Sequence, residues 1–547
     1  MTSAQTKVFN FHGGLLLDDH KSVSTSRPIE QAPIPPQLII PLTQHLGHAA
    51  KPCVKVGDSV LKGQCIAKAD GRVSAPIHAS SSGKVVAIEP RAVPHPSNLK
   101  TDCIVIETDG RDIPFASESS GLSNYHSLST DEIRQRIQDA GIVGLGGAGF
   151  PSHIKLNPGE HSVETLILNA AECEPYISCD DMLMREHADA IISGLRIMQH
   201  ALHAKSCMIG IEDNKIEAYQ ALLTAIGSSD DVRLVRVPTR YPAGGERQLI
   251  YSLTGKQTPT HGRPAEIGIV CHNVGTAFAV HNAITKGEAL ISRVVTLTGS
   301  GIPQPRNMHV RIGTPIHDLL EHCHAPEHDI GQILIGGPMM GFKIDSSAAP
   351  VTKICNCVLA THQRDIKPAD NPMPCIRCGE CTNVCPVNLL PQQLYWHARA
   401  QEFDRVQDYN LFDCIECGCC DVVCPSRIPL VQYFRFAKTT IWRQEHDKEK
   451  SDKARERHEH RLERLEREKR EKRERHNRKK AALKKEPDQK EDPKKAAILA
   501  AMKRVQEKKS ATNKAPANTD NLTAEQQRKI DEADARRAEH NKDNNGN

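Results

Sequence analysis

The sequence predicts a multidomain α+β protein. Its 547 residues are too many for one ordinary hydrophobic core, which favours three or four domains. Along the chain the pattern changes from short strands with turns, to alternating helices and β-branched strands, to a cysteine-rich helical segment and a charged tail. We therefore expect domains at residues 34–110, 129–290, 293–350 and 365–440, followed by a tail at residues 443–547.

Composition disfavours two broad classes of protein. The 19 cysteines would suggest disulfides in a small secreted protein, but here they are spread over a long chain. The first residues, MTSAQTKVFNFHGG, lack the pattern of a signal peptide, so we expect a reducing environment in which thiols bind metals. No apolar run approaches the roughly 20 residues needed to span a bilayer, so we expect a soluble or peripheral protein.

The first domain reads as a compact β-sandwich. Apolar residues alternate at Val54, Val56 and Val60, and Gly57 with Asp58 supplies a turn. The stretch resembles the barrel-sandwich hybrid of biotinyl and lipoyl carrier domains. Its expected tip, AKADGRVSAP, has no convincing carrier lysine, so we expect a structural module without a prosthetic group.

The second domain shows an α/β pattern. A capping box that begins at Ser129 opens a helix with Ile133, Ile137 and Ala140 on one face. A glycine loop and an expected strand, VETLILNAAE, follow, and helices then alternate with β-branched strands to about Leu290. From residue 293 short strands return with one expected helix around Pro315–Cys323, which suggests a small β-grasp-type module.

Eight cysteines carry the most specific chemical signal. Both cysteine runs follow C-x₂-C-x₂-C-x₃-C-P, the spacing of bacterial two-cluster ferredoxins. Three thiolates two residues apart can wrap around three corners of a cubane, and Gly379 and Gly418 let each loop close with its N–H groups free to bond sulfur. Because the fourth cysteine ligates the other cluster, we assign one [4Fe–4S] cluster to Cys375, Cys378, Cys381 and Cys424, and the second to Cys414, Cys417, Cys420 and Cys385.

Zinc is the alternative metal for such cysteines. Zinc sites use four ligands in pairs of C-x₂-C with a long spacer and no terminal proline, so two complete runs favour iron. Cys419 is a surplus thiol within the second run, and we expect it not to bind iron. Cys355 and Cys357 lie upstream and are left out of the ligand set.

The glycine loop, Gly144–Gly149, matches G-x-G-x-x-G, which is a weak signal alone. A dinucleotide fold requires a strand before the loop and a helix after it. Here the helix comes first and Pro151 follows almost at once, so an ordinary dinucleotide fold is disfavoured. Two readings remain: a structural turn, or a bare loop that a flat or phosphorylated ligand can approach closely.

Four motifs carry a family resemblance: GLGGAGFPSHIKL, LNAAECEPY, YPAGGERQLIYSLTG and CHNVGT. Together they resemble the C subunit of the Rnf (Rsx) electron-transport complex and, more distantly, the NADH- and FMN-binding subunit of respiratory complex I. The similarity covers about Pro36–Lys438. It keeps the same order of parts: hybrid domain, flavin/NADH domain, β-grasp (SLBB-like) module and two-cluster domain.

The resemblance implies a pocket for FMN and NADH. It implies a flavin cradle of Gly144, Gly146, Gly147, Gly149 and Lys155, with Phe150 as a stacking surface for a nucleotide base. The rest of the pocket is implied to be Asn169, Glu172, Glu174, Tyr241, Gly244, Glu246, Asn273 and Thr276. These residues are carried over from the motifs of the complex I subunit. Three residues depart from that pattern: Ala171 replaces Asp, Gly245 replaces Glu and His272 replaces Asn.

The resemblance further implies a peripheral subunit on the cytoplasmic face of the bacterial inner membrane. NADH would reduce FMN, electrons would pass to two [4Fe–4S] clusters, and partner subunits of the Rnf (Rsx) complex would couple their transfer to ion translocation. No catalytic acid or base side chain is expected. The alternative is an iron–sulfur relay without flavin. A third hypothesis is an RNA- or membrane-binding scaffold that uses the tail.

The tail is basic, whereas the rest of the chain is slightly acidic. Beyond Trp442 it has no aromatic residue and no cysteine, and opposite charges recur three and four residues apart. We therefore expect a solvated helix with no apolar face, followed by disorder. The missing aromatics argue against base stacking, so no nucleic acid partner is expected.

Overall fold

The computed structural model describes most of the chain in two compact units, Met1–His446 and Asp447–Asn547. The described residues are 7–116, 121–122, 124–228, 231–260, 262–366, 371–484, 493–511, 527–528 and 530–533. Within them, no helix combines the length and the apolar character needed to cross a membrane.

The N-terminal part is built from short strands. They are β1 (Glu30–Gln31), β2 (Gln37–Pro41), β3 (Lys51–Pro52), β4 (Ser59–Val60), β5 (Cys65–Lys68), β6 (Ile77–His78), β7 (Gly83–Ala92) and β8 (Lys100–Thr108). One antiparallel sheet has the order β2-β8-β7-β4 and the other β3-β5-β6. The expected alternation is wrong at Val56, which is 60% exposed because it enters the turn at Gly57.

The central part alternates helices with parallel strands. Its elements are α1 (Thr130–Asp139), α2 (Ser152–Lys155), β9 (Thr165–Ala170), α3 (Cys179–Leu202), β10 (Ser206–Glu212), α4 (Ile216–Ile226), β11 (Val232–Val237), α5 (Glu246–Thr254), β12 (Ile269–Asn273) and α6 (Val274–His281). The parallel sheet has the order β11-β10-β9-β12, so the carboxyl ends of its strands share one edge. The capping box at Ser129 is confirmed, and Ile133 and Ile137 are buried.

A six-stranded sheet follows. Its elements are β13 (Ser292–Thr298), β14 (Arg306–Arg311), α7 (Ile316–His322), β15 (Ile330–Ile335), β16 (Phe342–Ile344) and β17 (Cys357–His362). The strand order is β1-β14-β13-β17-β15-β16, so the sheet includes β1 and β17 from outside residues 293–350. The expected helix is confirmed as α7. Cys355 and Cys357 are buried in the cores next to this sheet.

The cysteine-rich segment and the tail are helical. Their helices are α8 (Glu380–Asn383), α9 (Pro391–Ala400), α10 (Phe403–Asp408), α11 (Cys419–Val422), α12 (Leu430–Lys484) and α13 (Pro493–Ala511). Ion pairs such as Arg455–Asp452 (2.8 Å) line α12 at the expected spacing. In α13, Ile498, Met502 and Val505 are 58–66% exposed, and the apolar residues of this helix are not concentrated on one face, in line with the expectation of no apolar face.

Lys353 joins three parts of the first unit. Its side chain is buried, and its ammonium donates hydrogen bonds to the carbonyl oxygens of Pro76 in the β domain (2.9 Å) and Gly141 in the α/β domain (2.7 Å). Its own N–H donates to Gln44 Oε1 (3.0 Å). Burial lowers the pKa of Lys353 to about 7.

We predict that Lys353 makes stability depend on pH above neutrality. The pKa is about 7 in the folded chain and about 10.4 in the unfolded chain, so the unfolded state binds more protons between these values and the free energy of unfolding rises with pH. In Lys353→Met this contribution is absent. The Tm difference between wild type and variant should therefore move in favour of wild type from about pH 7 to about pH 9, and a constant difference would contradict the prediction.

The tail is predicted to be dispensable for cofactor binding. The first compact unit ends at His446, and the apolar side chains of α13 are exposed rather than buried. Truncation after His446 should leave iron and flavin content unchanged, with any loss confined to salt-sensitive association with membranes or partner proteins. A truncated protein that no longer retains iron would refute this prediction.

Candidate functional site

Two cavities near helices α8 to α12 are lined by the cysteines of the two runs. The first has a volume of about 490 Å³ and is lined by Cys375, Cys378, Cys381 and Cys424. The second is narrow, about 20 Å³, and is lined by Cys385, Cys414, Cys417, Cys419 and Cys420. Each cavity thus combines the first three motif cysteines of one run with the fourth of the other, and the second cavity also contains Cys419. This grouping supports the crossed ligand assignment.

The two runs repeat the same backbone conformation. Arg377 and Glu416 both have φ of 57°, and the glycines that follow the second cysteines, Gly379 and Gly418, have φ of 84° and 79°. These left-handed residues turn each loop around its cavity, and glycine adopts that region without steric cost. Glu416 directs its N–H at Cys414 Sγ (3.4 Å).

The fourth cysteine of each run is also met by a backbone donor. The N–H of Leu389 lies 3.3 Å from Cys385 Sγ, and the N–H of Ile428 lies 3.5 Å from Cys424 Sγ. Backbone N–H groups directed at sulfur stabilise the thiolates of iron–sulfur clusters. The ligand spacing and these donors suit a [4Fe–4S] cluster at each run. The first cavity has room for one, whereas the second is closed around its cysteines.

Cys419 lines the second cavity but has no counterpart in the first. The position that corresponds to it is Glu380, directly after Gly379, and a carboxylate there leaves the first run with its full set of four cysteines. Cys419 is fully buried and belongs to the same apolar cluster as Tyr241. The comparison between the runs supports a packing role for Cys419.

The predicted flavin residues converge on the carboxyl edge of the parallel sheet. Asn169 is the penultimate residue of β9 and lies beside Asn273, its register partner at the end of β12. Asn169 Nδ2 donates to the carbonyl of Gly244 (2.8 Å), and Asn273 Oδ1 accepts from the N–H of Gly275 and caps α6. This edge is where open α/β sheets bind ligands.

The glycine loop is anchored to the rest of the domain by hydrogen bonds and has an exposed surface at Gly146 and Gly147. Gly144 donates its N–H to the carbonyl of Phe150 (2.8 Å), and the N–H of Leu145 donates to Thr276 Oγ1 (3.0 Å). Gly146 and Gly147 are exposed, and a Cβ added at Gly147 would meet no atom within 4 Å. A planar ligand can therefore approach the backbone at Gly147.

Gly149 differs from the other loop glycines. It is buried, and a Cβ there would lie 2.8 Å from Ile354 Cγ2. A side chain at this position would push against the protein itself. Gly149 therefore serves packing between the loop and the Lys353 segment, whereas Gly146 and Gly147 leave the open surface.

An ion pair lies at the same carboxyl edge of the parallel sheet. Lys155, at the end of α2, forms an ion pair with Glu246 at the start of α5 (2.6 Å), and both side chains are partly exposed. His272 is buried, and its Nε2 has no hydrogen-bond partner among the described residues. Burial and the charge of Lys155 lower the pKa of His272, which favours a neutral imidazole.

The loop after β9 is fixed by a lysine that the sequence did not reveal. Lys21 is buried and donates to three carbonyl oxygens, those of Glu172 (2.7 Å), Glu174 (2.9 Å) and Ile177. An ammonium group has three donors, so all of them are used. No local pattern predicts a contact between residues so far apart in sequence.

Glu172 and Asp180 connect the loop after β9 to the start of α3. The Glu172 carboxylate accepts the N–H groups of Asp180 (2.8 Å) and Asp181 (3.2 Å) at the start of α3. Glu172, Cys179 and Asp180 could geometrically hold a metal ion, but the helix N–H groups already satisfy the Glu172 carboxylate. Burial, and next the charge of Glu172, raise the pKa of Asp180 to about 7, and Asn273 Nδ2 donates to it (2.6 Å).

Two predicted pocket residues contact the second cysteine run and its neighbours. The Tyr241 hydroxyl donates to the carbonyl of Cys417 (2.7 Å), and burial raises the pKa of Tyr241. Glu174 Oε1 accepts the N–H groups of Met339 (2.6 Å) and Met340 (3.1 Å). We call this contact region, made by Glu174, Tyr241 and Met339, the seam.

The N-terminal strap, residues 7–31, reinforces the seam. The N–H of Gly14 donates to the carbonyl of Val384 (2.8 Å), and the N–H of Leu15 donates to that of Tyr241 (2.8 Å). A Cβ at Gly13 would lie 2.6 Å from the Val384 carbonyl, so only glycine permits this approach. The strap therefore crosses from the α/β domain to the segment that carries Cys385.

Comparisons with known proteins agree with this architecture. Family models match residues 9–111 (RnfC Barrel sandwich hybrid domain), 137–282 (Nuo51 FMN-binding domain) and 374–428 (4Fe-4S dicluster domain). A Serratia proteamaculans protein, named as the C subunit of an ion-translocating oxidoreductase complex, is 45% identical over 539 residues, which covers 97% of this chain and 75% of that protein. The chain belongs to this family.

Two further proteins of the same name differ from the chain in length. The Pseudomonas aeruginosa protein is 49% identical over 449 residues, or 82% of this chain and 58% of the relative. The Haemophilus influenzae protein is 46% identical over 82% of this chain and 67% of the relative. An NAD⁺-reducing [NiFe]-hydrogenase structure reaches a TM-score of only 0.41 at 18% identity, over 54% of this chain and 60% of that chain.

The family that the motifs indicated is thus confirmed. Its domain matches fit FMN and [4Fe–4S] clusters as cofactors. The FMN-binding model spans the glycine loop, Lys155 and Asn273, and the dicluster model spans both cysteine runs.

Single cysteine substitutions test the ligand assignment. We predict that Cys378→Ser and Cys417→Ser abolish assembly of the corresponding cluster because a thiolate ligand is lost, while Cys419→Ser retains full iron. Iron per chain and low-temperature EPR of the reduced protein measure the outcome. Loss of iron in Cys419→Ser would show that the second run uses a different set of ligands.

Proposed function

We propose that this chain takes electrons from NADH through FMN to two [4Fe–4S] clusters and passes them to partner subunits of an ion-translocating complex. The observation that carries the proposal is the seam. It joins the FMN-binding domain to the second cysteine run through a hydrogen bond from Tyr241 to the carbonyl of Cys417. A flavin site and a cluster site are thereby built against each other in one compact unit.

The open glycine loop supports the flavin part of the proposal. Gly146 and Gly147 expose backbone to an approaching ring, and Lys155 offers a cation that suits a phosphate. The Lys155–Glu246 ion pair holds that cation at the same edge as Asn169. FMN, when bound, supplies the exchange between two-electron and one-electron chemistry.

The chain's own residues position and shield rather than transfer protons. Lys21 fixes the loop that carries Glu172 and Glu174, and Asn273 with Thr276 shapes the glycine loop. In the cluster domain, the backbone donors at Cys385 and Cys424 would stabilise thiolates. That no catalytic acid or base side chain is needed is part of the same proposal.

A flavin-free relay is the second candidate function. Its support lies in the residues that differ from the pattern of the complex I subunit. His272 presents a buried imidazole where that pattern has Asn, and the carboxylate of Glu172 is occupied by the start of α3. Under this alternative the clusters assemble but the glycine loop remains a structural turn.

We also propose the domain organisation and the location that the resemblance implies. Residues 34–110 would form the hybrid domain, 129–290 the FMN/NADH domain, 293–350 a β-grasp (SLBB-like) module, 365–440 the two-cluster domain and 443–547 a charged tail. The disorder expected in the last part of the tail falls mostly on residues outside those that the structure describes. The protein would be peripheral, at the cytoplasmic face of the inner membrane. The interaction with NAD(H) belongs to the same proposal.

The glycine loop and Lys155 provide the test of the flavin site. Gly147→Val should block FMN because its side chain would enter only the open approach to the loop. Lys155→Ala should weaken FMN binding by about 1.5–3 kcal/mol, or roughly 10- to 150-fold, through loss of a charge-assisted contact. FMN retention after reconstitution and the bleaching of iron–sulfur absorbance by NADH measure both effects.

Gly227→Val is the matched control for Gly147→Val. Gly227 also has a positive φ and open space around its Cβ position, but it follows α4, at the opposite edge of the sheet. It should therefore retain FMN. If wild type binds no flavin and NADH never reduces its clusters, even with partner subunits present, the relay function is correct; normal FMN binding by Gly147→Val would place the flavin elsewhere.

A further inference from the structure

The two cysteine runs share a backbone but differ in what covers them. Ile415 of the second run packs with Tyr241 and Met339 at the seam. The corresponding residue of the first run, Ile376, is 68% exposed. The face of the loop that meets the α/β domain in one repeat is therefore bare in the other.

The charges of the two loops show the same difference. The carboxylate of Glu416 in the second run accepts hydrogen bonds from Arg435 Nε (2.9 Å) and Lys438 Nζ (2.8 Å). Arg377 occupies the same position in the first run and the same left-handed conformation. Among the described residues it has no ion pair and no hydrogen bond from its side chain.

Exposed apolar side chains surround this arginine. Ile376 and Trp396 line the first cavity together with Arg377, and Trp396 is 39% exposed. Met373, two residues before the first cysteine, is 64% exposed, and its N–H donates to the carbonyl of Ser426 at the cavity wall. We name Met373, Ile376, Arg377 and Trp396 the distal patch. Methionine, tryptophan and arginine are enriched at protein interfaces and at their energetic centres.

We propose that the distal patch docks a redox protein whose matching face has an apolar centre and a carboxylate opposite Arg377. The inference rests on the proposed electron-transfer function, because it assigns the exit side of that path. The seam covers the loop of the second run, whereas Cys378 of the first run is exposed. A partner seated on the distal patch would therefore lie against the first cluster site. Apolar contact would supply burial, and the carboxylate would pair with the guanidinium.

Binding of the full chain, loaded with its cofactors, tests the proposal. The probe is a membrane preparation that contains the other subunits of the complex but lacks this chain, and co-sedimentation measures affinity. Ile376→Glu and Arg377→Glu should each weaken binding by about tenfold or more. Leu99→Glu is the control, since Leu99 is 65% exposed on the β domain. It should change affinity by less than about twofold.

Two further readouts separate the possible failures. NADH-dependent reduction of ferricyanide needs no protein partner. Its absence in wild type would refute the proposed function, whereas the binding measurement would be unaffected. Binding of both patch variants at wild-type strength, with iron content intact, would overturn the distal patch alone. If Ile376→Glu loses iron, the binding of Met373→Glu tests the patch instead, since Met373 lies outside the ligand runs. Wild-type binding by that variant would overturn the proposal. Equal weakening on protein-free vesicles of the same lipids would identify a membrane contact and also overturn the proposal.

Discussion

The hydrogen bond from the Tyr241 hydroxyl to the carbonyl of Cys417 is the contact on which the functional architecture depends. It lies in a buried seam, where an unpaired hydroxyl or carbonyl would cost about 1–3 kcal/mol. Both partners are therefore constrained to meet. Because Tyr241 belongs to the FMN-binding domain and Cys417 to the second cysteine run, satisfying this pair holds the two domains together at the seam.

The N-terminal strap extends the same constraint. Lys21 uses its three donors on the loop after β9, and Gly14 and Leu15 join the strap to Val384 and Tyr241. A segment that precedes the β domain thus determines how the α/β domain and the cluster domain fit together. The result is an asymmetric pair of repeats, in which the loop of one cysteine run is covered by protein and that of the other is open. That asymmetry gives the proposed electron path a direction.

Local features of the molecule were predictable from the sequence, and contacts between distant residues were not. Cysteine spacing, the capping box at Ser129 and the alternation of helices with strands depend on neighbours in the chain, so each can be read from a short window. The pairing of β1 with β14, the reach of Lys21 and the Asp180–Asn273 contact join residues far apart in sequence. The prediction that Val56 belongs to an alternating strand was wrong because Val56 is already part of the turn that contains Gly57.

The most direct test of the account is the exposure of each cluster in the loaded protein. A soluble dysprosium chelate speeds the electron-spin relaxation of centres near the surface, and the Cys378→Ser and Cys417→Ser proteins identify which EPR signal belongs to which run. The account predicts strong relaxation enhancement for the cluster of Cys375, Cys378, Cys381 and Cys424, and weak enhancement for the other. Equal enhancement of both signals, or the reverse order, would contradict it.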